Sequence, residues 1–411
     1  MNAVSAILSA EQLTHKAKVL FKEERALVRL DGWFTISEIR RDCDAAFTGQ
    51  PAELKAANTL KEIAEALPIS LSKNAVFAGT QRDAFARSYA LINPTFKVES
   101  FSGYCDPTAV FDDIEPDSNI TRERIDALRA YNSQSAYVHA LSETYRQVAE
   151  YTGEVCFFVE QVTGHVIPDM RIILAQGIDG VTKQLEQKLL GEADPARKIN
   201  LTAMKTALEA VLILAARYAK LARKQAETVD EPRKSELLLM AETLDRIPAK
   251  GATNLFEAIQ SFILLWQVMC IEQSPNPFAF SVGNADRIFE PYRKADNTDR
   301  ETAAALFKHL LVFFNIGDRS WAISQNILVG GKGTAGNDLT NDCTYALLDA
   351  YYDMNLPQPI LSVKLHQNTP DALYRAFGRF FFTPGCLTPS LFNDDSLFPI
   401  LACAGVEQAD L

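Results

Sequence analysis

Apolar residues recur at alternating intervals of three and four over much of the chain, the spacing of one face of a helix. The clearest stripe consists of Met204, Leu208, Val211, Ala215, Tyr218 and Ala222. Leu237, Ala241 and Leu244 repeat the spacing, and Pro248 follows them as a helix stop. The segment from Asn254 to about Glu272 is apolar nearly all round, which predicts a buried central helix.

Two threonines indicate where further helices begin. Thr121 predicts the N-cap of a long helix reaching towards Tyr151, and Thr369 followed by Pro370 predicts an N-cap with proline at the first helical position. Basic residues at helical spacing predict a solvated face on the long helix, formed by Arg217, Lys220, Arg223 and Lys224.

Strand patterns are fewer and come late in the chain. Residues 326–329 form a short apolar run that ends at two glycines, residues 360–366 alternate between apolar and polar, and residues 389–393 form a third candidate. Helices separated by short strands predict a helix-rich α/β fold. Because no repeat or low-complexity linker divides the chain, we predict one domain over residues 1–411.

Charge and cysteine usage narrow the class of protein. The 411 residues carry a net charge of -11, and an acidic surface repels nucleic acid. The seven cysteines form no C-x-x-C pair, and the first residues lack the basic and then apolar pattern of a secretory signal. Together these features indicate a cytoplasmic protein with reduced thiols. The most apolar stretch, residues 262–271, is too short to span a membrane. We therefore expect neither a nucleic-acid nor a membrane partner.

Candidate cofactor motifs are weak. Gly331-x-Gly333-x-x-Gly336 follows a predicted strand and matches the dinucleotide fingerprint, but the next strand ends at His366 where an acidic residue is expected. A glycine-rich turn is the favoured interpretation, with nucleotide binding left as an alternative. Lys332 precedes glycine instead of serine or threonine, unlike a P-loop. No two of the five histidines lie four residues apart, so we expect no dedicated metal site.

Several segments carry a signature that depends on their order along the chain. They are Gly164-His165 with Asp169, residues 208–227, residues 233–273, Ser281-x-Gly283 with Pro291-Tyr292, Gly330-Gly331, residues 337–350, Gln358-Pro359 through His366, and Pro389 through Asp395. The ordered series, spanning about Glu24 to Leu411, resembles the N-terminal portion of the glycyl radical enzymes related to pyruvate formate-lyase.

That resemblance implies a fold and a chemistry. The fold would be a ten-stranded barrel of two five-stranded half-sheets wrapped in helices, of which this chain supplies the N-terminal half. In such enzymes a glycyl radical passes to a cysteine, whose thiyl radical abstracts hydrogen from a small-molecule substrate in lyase, dehydratase or formate acyltransferase chemistry. A radical S-adenosylmethionine activase installs the radical, no cofactor is bound, and many members are cytoplasmic homodimers of anaerobes.

The resemblance also places the catalytic groups. The cysteine loop is expected a few residues past the segment 405–411 and the glycine loop further on, while Cys386 and Cys403 belong to other blocks. We therefore expect the chain to be inactive alone, as a split or truncated part that needs a C-terminal half. The alternative is a non-catalytic helical scaffold protein that keeps the fold.

Substrate-binding positions follow only by motif. The resemblance assigns His165 and Asp169 of the Gly-His block, and Ala279, Ser281 and Ala285 around the Ser-x-Gly segment, to the cavity wall. We expect His165, Asp169 and Ser281 to converge on one concavity.

The chain departs from the family pattern at three positions. Asn284 stands in place of arginine, Arg287 in place of glutamine and Lys364 in place of arginine. Lysine lacks the bidentate guanidinium fork, so these changes leave the substrate open.

Overall fold

The computed structural model describes residues 4–26, 33–81, 121–148, 166–273, 279–316 and 325–407 of the chain. Helices dominate these ranges, as the apolar spacing predicts. They are α1 (Ala10–Ala26), α2 (Trp33–Ala46), α3 (Ala52–Ala66), α4 (Arg122–Ser133), α5 (Ala136–Val148), α6 (Met170–Gly191), α7 (Pro195–Ala226), α8 (Arg233–Arg246), α9 (Leu255–Gln273), α10 (Ala285–Ala295), α11 (Arg300–Ile316), α12 (Asp342–Met354), α13 (Asp371–Phe382) and α14 (Asp394–Cys403).

A parallel sheet organises the second half of the chain. Its strands β3 (Gly283–Asn284), β4 (Asn326–Gly330), β5 (Ile360–Leu365) and β6 (Ser390–Asn393) lie side by side in chain order. A separate antiparallel pair consists of β1 (Ile69–Ser70) and β2 (Thr80–Gln81). Strands β4, β5 and β6 confirm the three strand predictions. Their carboxyl ends meet at one edge, which is where α/β sheets place functional groups.

The sheet buries one face and leaves its last strand open. Ile327, Val329, Leu361 and Val363 are fully buried, and they alternate along β4 and β5 as the pleat requires. All four residues of β6 are exposed, and within the described residues β6 pairs only with β5.

Helix α9 is the centre of the core, which confirms its prediction as a buried helix. Phe262 and Leu265 are buried and Met269 is half-buried. The indole N–H of Trp266 donates to the carbonyl oxygen of Phe280 at 2.9 Å, which ties the helix to the segment before β3. The side-chain amide of Gln260 pairs with both backbone groups of Ala78 at 2.8 Å, so this buried polar side chain is satisfied.

Three details differ from the sequence predictions. The helix that Thr121 caps ends at Ser133, and α5 begins three residues later, so it does not run unbroken towards Tyr151. Helix α13 begins at Asp371, because Thr369 instead accepts a hydrogen bond from the backbone N–H of His366. Arg217 is not simply solvated, since its guanidinium donates to two carbonyl oxygens at the end of α3.

Helix α6 is interrupted at Gly177, whose φ of 70° is non-helical. The segment after α8 fills the break: the N–H groups of Ile178 and Asp179 donate to the carbonyl oxygens of Pro248 and Ala249 at 2.9 and 3.0 Å. Gly251 lies against the other side of the break, where a Cβ atom would collide with the backbone carbonyl of Ala175. The two chain segments therefore interlock through their backbones.

A buried histidine joins α1 to α11. His309 Nε2 lies 2.9 Å from the carbonyl oxygen of Leu13, and the ring packs edge-on against Phe77. Its Nδ1 atom is buried and has no hydrogen-bond partner in the part of the chain that the structure describes. Burial lowers the pKa of His309 to about 4, and the nearby ammonium groups of Lys16 and Lys308 act in the same direction.

Candidate functional site

The segment that follows His165 runs beside the Ser-x-Gly segment. His165 itself lies outside the described residues. Val166 forms a parallel bridge with Phe280, and the backbone N–H of Ser281 donates to the carbonyl oxygen of Val166 at 2.9 Å. Two blocks that are more than a hundred residues apart in sequence are thus neighbours in space. The position of the His165 side chain stays a prediction.

The remaining motif residues occupy different settings. Ser281 is buried, and its hydroxyl accepts a hydrogen bond from the backbone N–H of Asn326 at 2.9 Å, which links it to the start of β4. Ala285 is fully buried as the first residue of α10, and Ala279 is partly exposed with a φ of 57°. In this structure Ser281 therefore supports the sheet.

Asp169 is the N-cap residue of α6. Its carboxylate accepts a hydrogen bond from the backbone N–H of Arg171 at 3.1 Å and pairs with the Arg171 guanidinium at 2.8 Å. This pair lowers the pKa of Asp169. Asp169 borders a cleft among helices, and Ser281 and Ala285 do not line that cleft. Convergence of Asp169 with His165 stays a prediction.

A buried carboxylate that the sequence analysis did not single out lies at the carboxyl edge of the sheet. Asp286 is fully buried as the second residue after β3. It accepts hydrogen bonds from the backbone N–H of Gly330 at 2.7 Å and from the hydroxyl of Thr344 at 2.6 Å. Burial raises the pKa of Asp286 to about 6 although these donors favour the charged form. The group thus connects β3, β4 and α12.

A second buried carboxylate, Asp394, follows β6. Its side chain accepts a hydrogen bond from the backbone N–H of Lys332 at 3.0 Å, and the ammonium of Lys364 lies 3.3 Å away. The neighbouring Asp395 pairs with the ammonium of Lys332 at 2.5 Å. Both ammonium groups lie about 5 Å from the centroid of the Phe398 ring, within range of a cation–π interaction. Ion pairs within this cluster therefore connect the ends of β4, β5 and β6.

Gly331 leaves space for the side chains of Asp394 and Arg287 to lie against the backbone after β4. A Cβ atom on Gly331 would lie 2.8 Å from Asp394 Oδ2 and 2.9 Å from Arg287 Nη2. Arg287 itself donates to the carbonyl oxygen of Gly330 at 2.9 Å. The residue also has a φ of 96°, a conformation that glycine adopts without strain. Gly331 is therefore needed both for its backbone and for the space it leaves.

We expect Gly331→Ala to destabilise the chain more than Gly336→Ala. Both positions have a positive φ, but a Cβ on Gly336 would meet none of the described residues within 4 Å. Gly336→Ala should cost about 1–2 kcal/mol through backbone strain alone, and Gly331→Ala about 1–3 kcal/mol more through overpacking. Urea denaturation of both variants measures the difference. Equal losses would show that the charged cluster has room to adjust.

The glycine-rich segment 331–336 forms a hairpin. Lys332 and Asp338 form an antiparallel bridge, and His366 Nε2 lies 3.0 Å from the Asp338 carboxylate. Helix α12 follows, and a capping box closes its N-terminus. In this capping box the Asn341 side chain accepts a hydrogen bond from the backbone N–H of Thr344. The geometry agrees with the favoured interpretation of this segment as a turn. Within the described residues no three histidine, cysteine or acidic side chains form a metal-binding group.

Comparison with known proteins decides the family. A model of the family described as "Pyruvate formate lyase-like" matches residues 12–411. The chain belongs to the pyruvate formate lyase-like family.

Relatives of this pyruvate formate lyase-like chain are glycyl radical enzymes. It is 29% identical over 267 residues to isethionate sulfite-lyase of Bilophila wadsworthia, covering 58% of this chain and 31% of that protein. It is 30% identical over 282 residues to trans-4-hydroxy-L-proline dehydratase of Clostridioides difficile, covering 62% and 35% respectively. The aligned segments thus span about a third of the length of these relatives.

The fold of the pyruvate formate lyase-like chain also has a solved counterpart. A glycyl radical enzyme from Archaeoglobus fulgidus superposes with a TM-score of 0.77 at 20% identity, over 97% of this chain and 53% of that chain. This likeness confirms the helix-rich α/β fold. The described residues contain one four-stranded parallel sheet, so the ten-stranded barrel stays a prediction.

Two of the three departures from the family pattern have visible partners. Arg287 binds the carbonyl of Gly330, and Lys364 pairs with Asp394, so both cations are engaged with the sheet edge. The third, Asn284, has a buried Oδ1 atom that finds no hydrogen-bond partner among the described residues. In this pyruvate formate lyase-like chain Lys364 therefore forms the ion pair at the sheet edge, at a position where the family pattern has arginine.

Proposed function

We propose that this chain supplies the N-terminal part of a glycyl radical enzyme that performs lyase or dehydratase chemistry on a small molecule. The match over residues 12–411 to the pyruvate formate lyase-like family carries the proposal. The names of the relatives, a sulfite-lyase and a dehydratase, support this reaction class. All five cysteines of the described residues are free thiols, which supports a reducing, cytoplasmic setting.

The sheet β3–β6 forms one wall of a barrel in this proposal. Among the described residues β6 pairs only with β5, and the side chains of Leu391 and Phe392 are exposed. These features support the proposal, because open strand edges and apolar surface call for a further layer. The remainder of the fold, supplied by further polypeptide or by a second subunit, would cover them. His165, Asp169, Ala279, Ser281 and Ala285 would then contribute to the substrate cavity.

In the proposed enzyme the radical is the only cofactor-like group. A radical S-adenosylmethionine activase installs it on a glycine, and a cysteine carries it to the substrate. Both groups would come from polypeptide beyond the barrel wall described here. The chain's own residues would position the substrate and exclude water, while the Asp286 and Asp394 clusters hold the edge of the wall together.

We expect the 411-residue chain to give no glycyl radical signal by itself. The test is electron paramagnetic resonance after anaerobic incubation with a radical S-adenosylmethionine activase. A complete homologous glycyl radical enzyme, treated with the same activase, is the positive control. A glycyl doublet from the chain alone would overturn the proposal that catalytic groups lie elsewhere.

The coding sequence after codon 411 tests the same proposal independently. A continuing frame that encodes Gly-Cys-x-Glu and a later glycine loop supports it. A frame without either loop favours the non-catalytic scaffold instead.

A further inference from the structure

Helix α13 carries aromatic side chains outside the core as well as within it. The side that packs against the rest of the protein has three buried residues, Leu373, Phe377 and Phe380. Tyr374 is nevertheless 44% exposed, Phe381 48% and Phe382 88%. At about 100° per residue, these three side chains and Gly378 between them lie within an arc of about 100°. The helix therefore has a second apolar stripe, on its exposed side.

The core holds part of this stripe in place. The ring of Phe377, which is buried, lies 5.4 Å from the ring of Tyr374 and 6.4 Å from the ring of Phe381, measured between centroids. An aromatic surface that is already ordered loses little side-chain entropy when a partner binds. Apolar stripes of this width on soluble helices are normally buried against another element.

Gly378 divides the stripe into two equal halves. Tyr374 lies four residues before it and Phe382 four residues after it. A Cβ on Gly378 would meet no atom of the described residues within 4 Å. The glycine therefore leaves a notch between two aromatic side chains, where a second backbone can approach closely.

This symmetry matches a second copy of the same chain. When two α13 helices cross in antiparallel fashion with Gly378 on the two-fold axis, Tyr374 of each copy meets Phe382 of the other. Arg375 of each copy then lies opposite Phe381 of the other, an arrangement that suits a cation–π interaction. Residues four apart form the ridges that interlock in the commonest class of helix packing. A two-fold interface uses the same patch on both copies, so each contact occurs twice.

The exposed aromatic area is enough for a weak dimer. Because a Phe or Tyr side chain buries about 150–250 Å², the exposed fractions of Tyr374, Phe381 and Phe382 amount to about 350 Å² per copy. Two copies thus contribute about 700 Å² from these rings alone, and interfaces below about 1,200 Å² belong to weak, reversible complexes. We therefore expect a dissociation constant in the micromolar range.

We propose that α13 is a two-fold interface through which two copies of this chain associate, with Gly378 at the axis and Tyr374 packed against Phe382 of the other copy. The interface lies on the surface of a helix, whereas the Asp286 and Asp394 clusters lie at the sheet edge. It is independent of radical chemistry and of the open edge of β6.

Sedimentation velocity of the 411-residue chain tests the proposal. Between about 1 and 200 µM the chain should pass reversibly from monomer to dimer. Phe382→Glu should raise the dissociation constant at least about tenfold, because each carboxylate would be buried against an aromatic ring. Leu190→Glu is the matched control, since Leu190 is 90% exposed on α6, and it should leave the dissociation constant unchanged.

Gly378→Leu separates this interface from general stickiness. Leucine adds apolar surface, so non-specific association would become stronger. In the proposed interface two leucines at the axis would hold the helices apart, so the dissociation constant should rise at least about tenfold. Leucine favours helix over glycine, and circular dichroism should show the variant folded.

Engineered cysteines test the register. Gly378→Cys should form disulfide-linked dimers on mild oxidation, because the two copies of this position meet at the axis and a disulfide needs Cα atoms within about 7 Å. Tyr374→Cys should not link to itself, since its two copies lie about 12 Å apart along the helix at 1.5 Å per residue. The native chain, oxidised in the same way, is the blank for its own cysteines.

Three outcomes contradict the proposal. A chain that stays monomeric up to about 200 µM would mean that a different polypeptide covers α13. A dimer that survives Phe382→Glu but is dissociated by Leu391→Lys would place the interface at β6, where Leu391 is exposed. Self-linking of Tyr374→Cys without self-linking of Gly378→Cys would exclude the antiparallel register.

Discussion

Gly251→Ala should destabilise the chain by about 3 kcal/mol or more, or prevent it from folding. A Cβ atom at this position would lie 2.1 Å from the carbonyl oxygen of Ala175, a backbone atom that cannot rotate away. Relief would require α6 to separate from the segment after α8, which would break the hydrogen bond from the N–H of Ala252 to the carbonyl of Leu174. The free energy of unfolding from urea denaturation is the measurement.

Gly378→Ala is the control for this substitution. Gly378 lies within α13, and within 4 Å of a Cβ there the described part of the chain places no atom. Alanine in an unobstructed helical position should stabilise by about 0.5–1 kcal/mol. If Gly251→Ala were as well tolerated as Gly378→Ala, the interlock between α6 and the segment after α8 would not be rigid.

A second large effect concerns pH. Because the folded state holds His309 neutral, with a pKa of about 4 in place of 6.5, the unfolded chain binds more protons between these values. The stability that His309 contributes is present above about pH 6.5 and is lost as the pH falls towards 4. A shift of this size corresponds to about 3 kcal/mol.

His309→Gln isolates this contribution. Glutamine does not titrate, and its amide nitrogen can reach the carbonyl of Leu13 as Nε2 of the imidazole does. We expect the variant to be less stable at pH 7, through lost packing against Phe77, and to lose less stability than the native chain on acidification. Denaturant midpoints between about pH 4 and 7 measure the difference.

Asp286 acts in the opposite direction within the same pH window. Its pKa is raised to about 6, so the stability linked to its protonated form is lost as the pH rises through that value. Both proteins contain Asp286. Subtracting the unfolding free energy of His309→Gln from that of the native chain at each pH therefore cancels the contribution of Asp286. Parallel pH profiles for the two proteins would contradict the assignment to His309.

The elements with strong local patterns could be predicted from the sequence. Strands β4 and β5 alternate or form apolar runs, and α9 has no polar stripe, so local spacing alone indicated their type and burial. The order of weak motifs indicated the family, which the match over residues 12–411 confirms.

Features that depend on distant partners could not be predicted. The break of α6 at Gly177 is stabilised by the backbone carbonyls of Pro248 and Ala249, some seventy residues later. The spacing of apolar residues within α6 does not predict such a distant pairing. The burial of Asp286 and Asp394 likewise requires β3 and β6 to end at one sheet edge. One signal was available: each aspartate lies within two residues of a strand end, in the first turn of the following helix. The carboxyl ends of parallel strands are where functional groups gather.

Strand order in the sheet follows chain order without exception from β3 to β6. During synthesis each new strand can therefore pair with the strand made just before it, with no gap reserved for a later segment. Domains that grow in this way can assemble from the N-terminal side while the ribosome is still adding residues. The exposed edge of β6 is then the growing front of the sheet, and a chaperone that shields it during translation would have a single strand to protect.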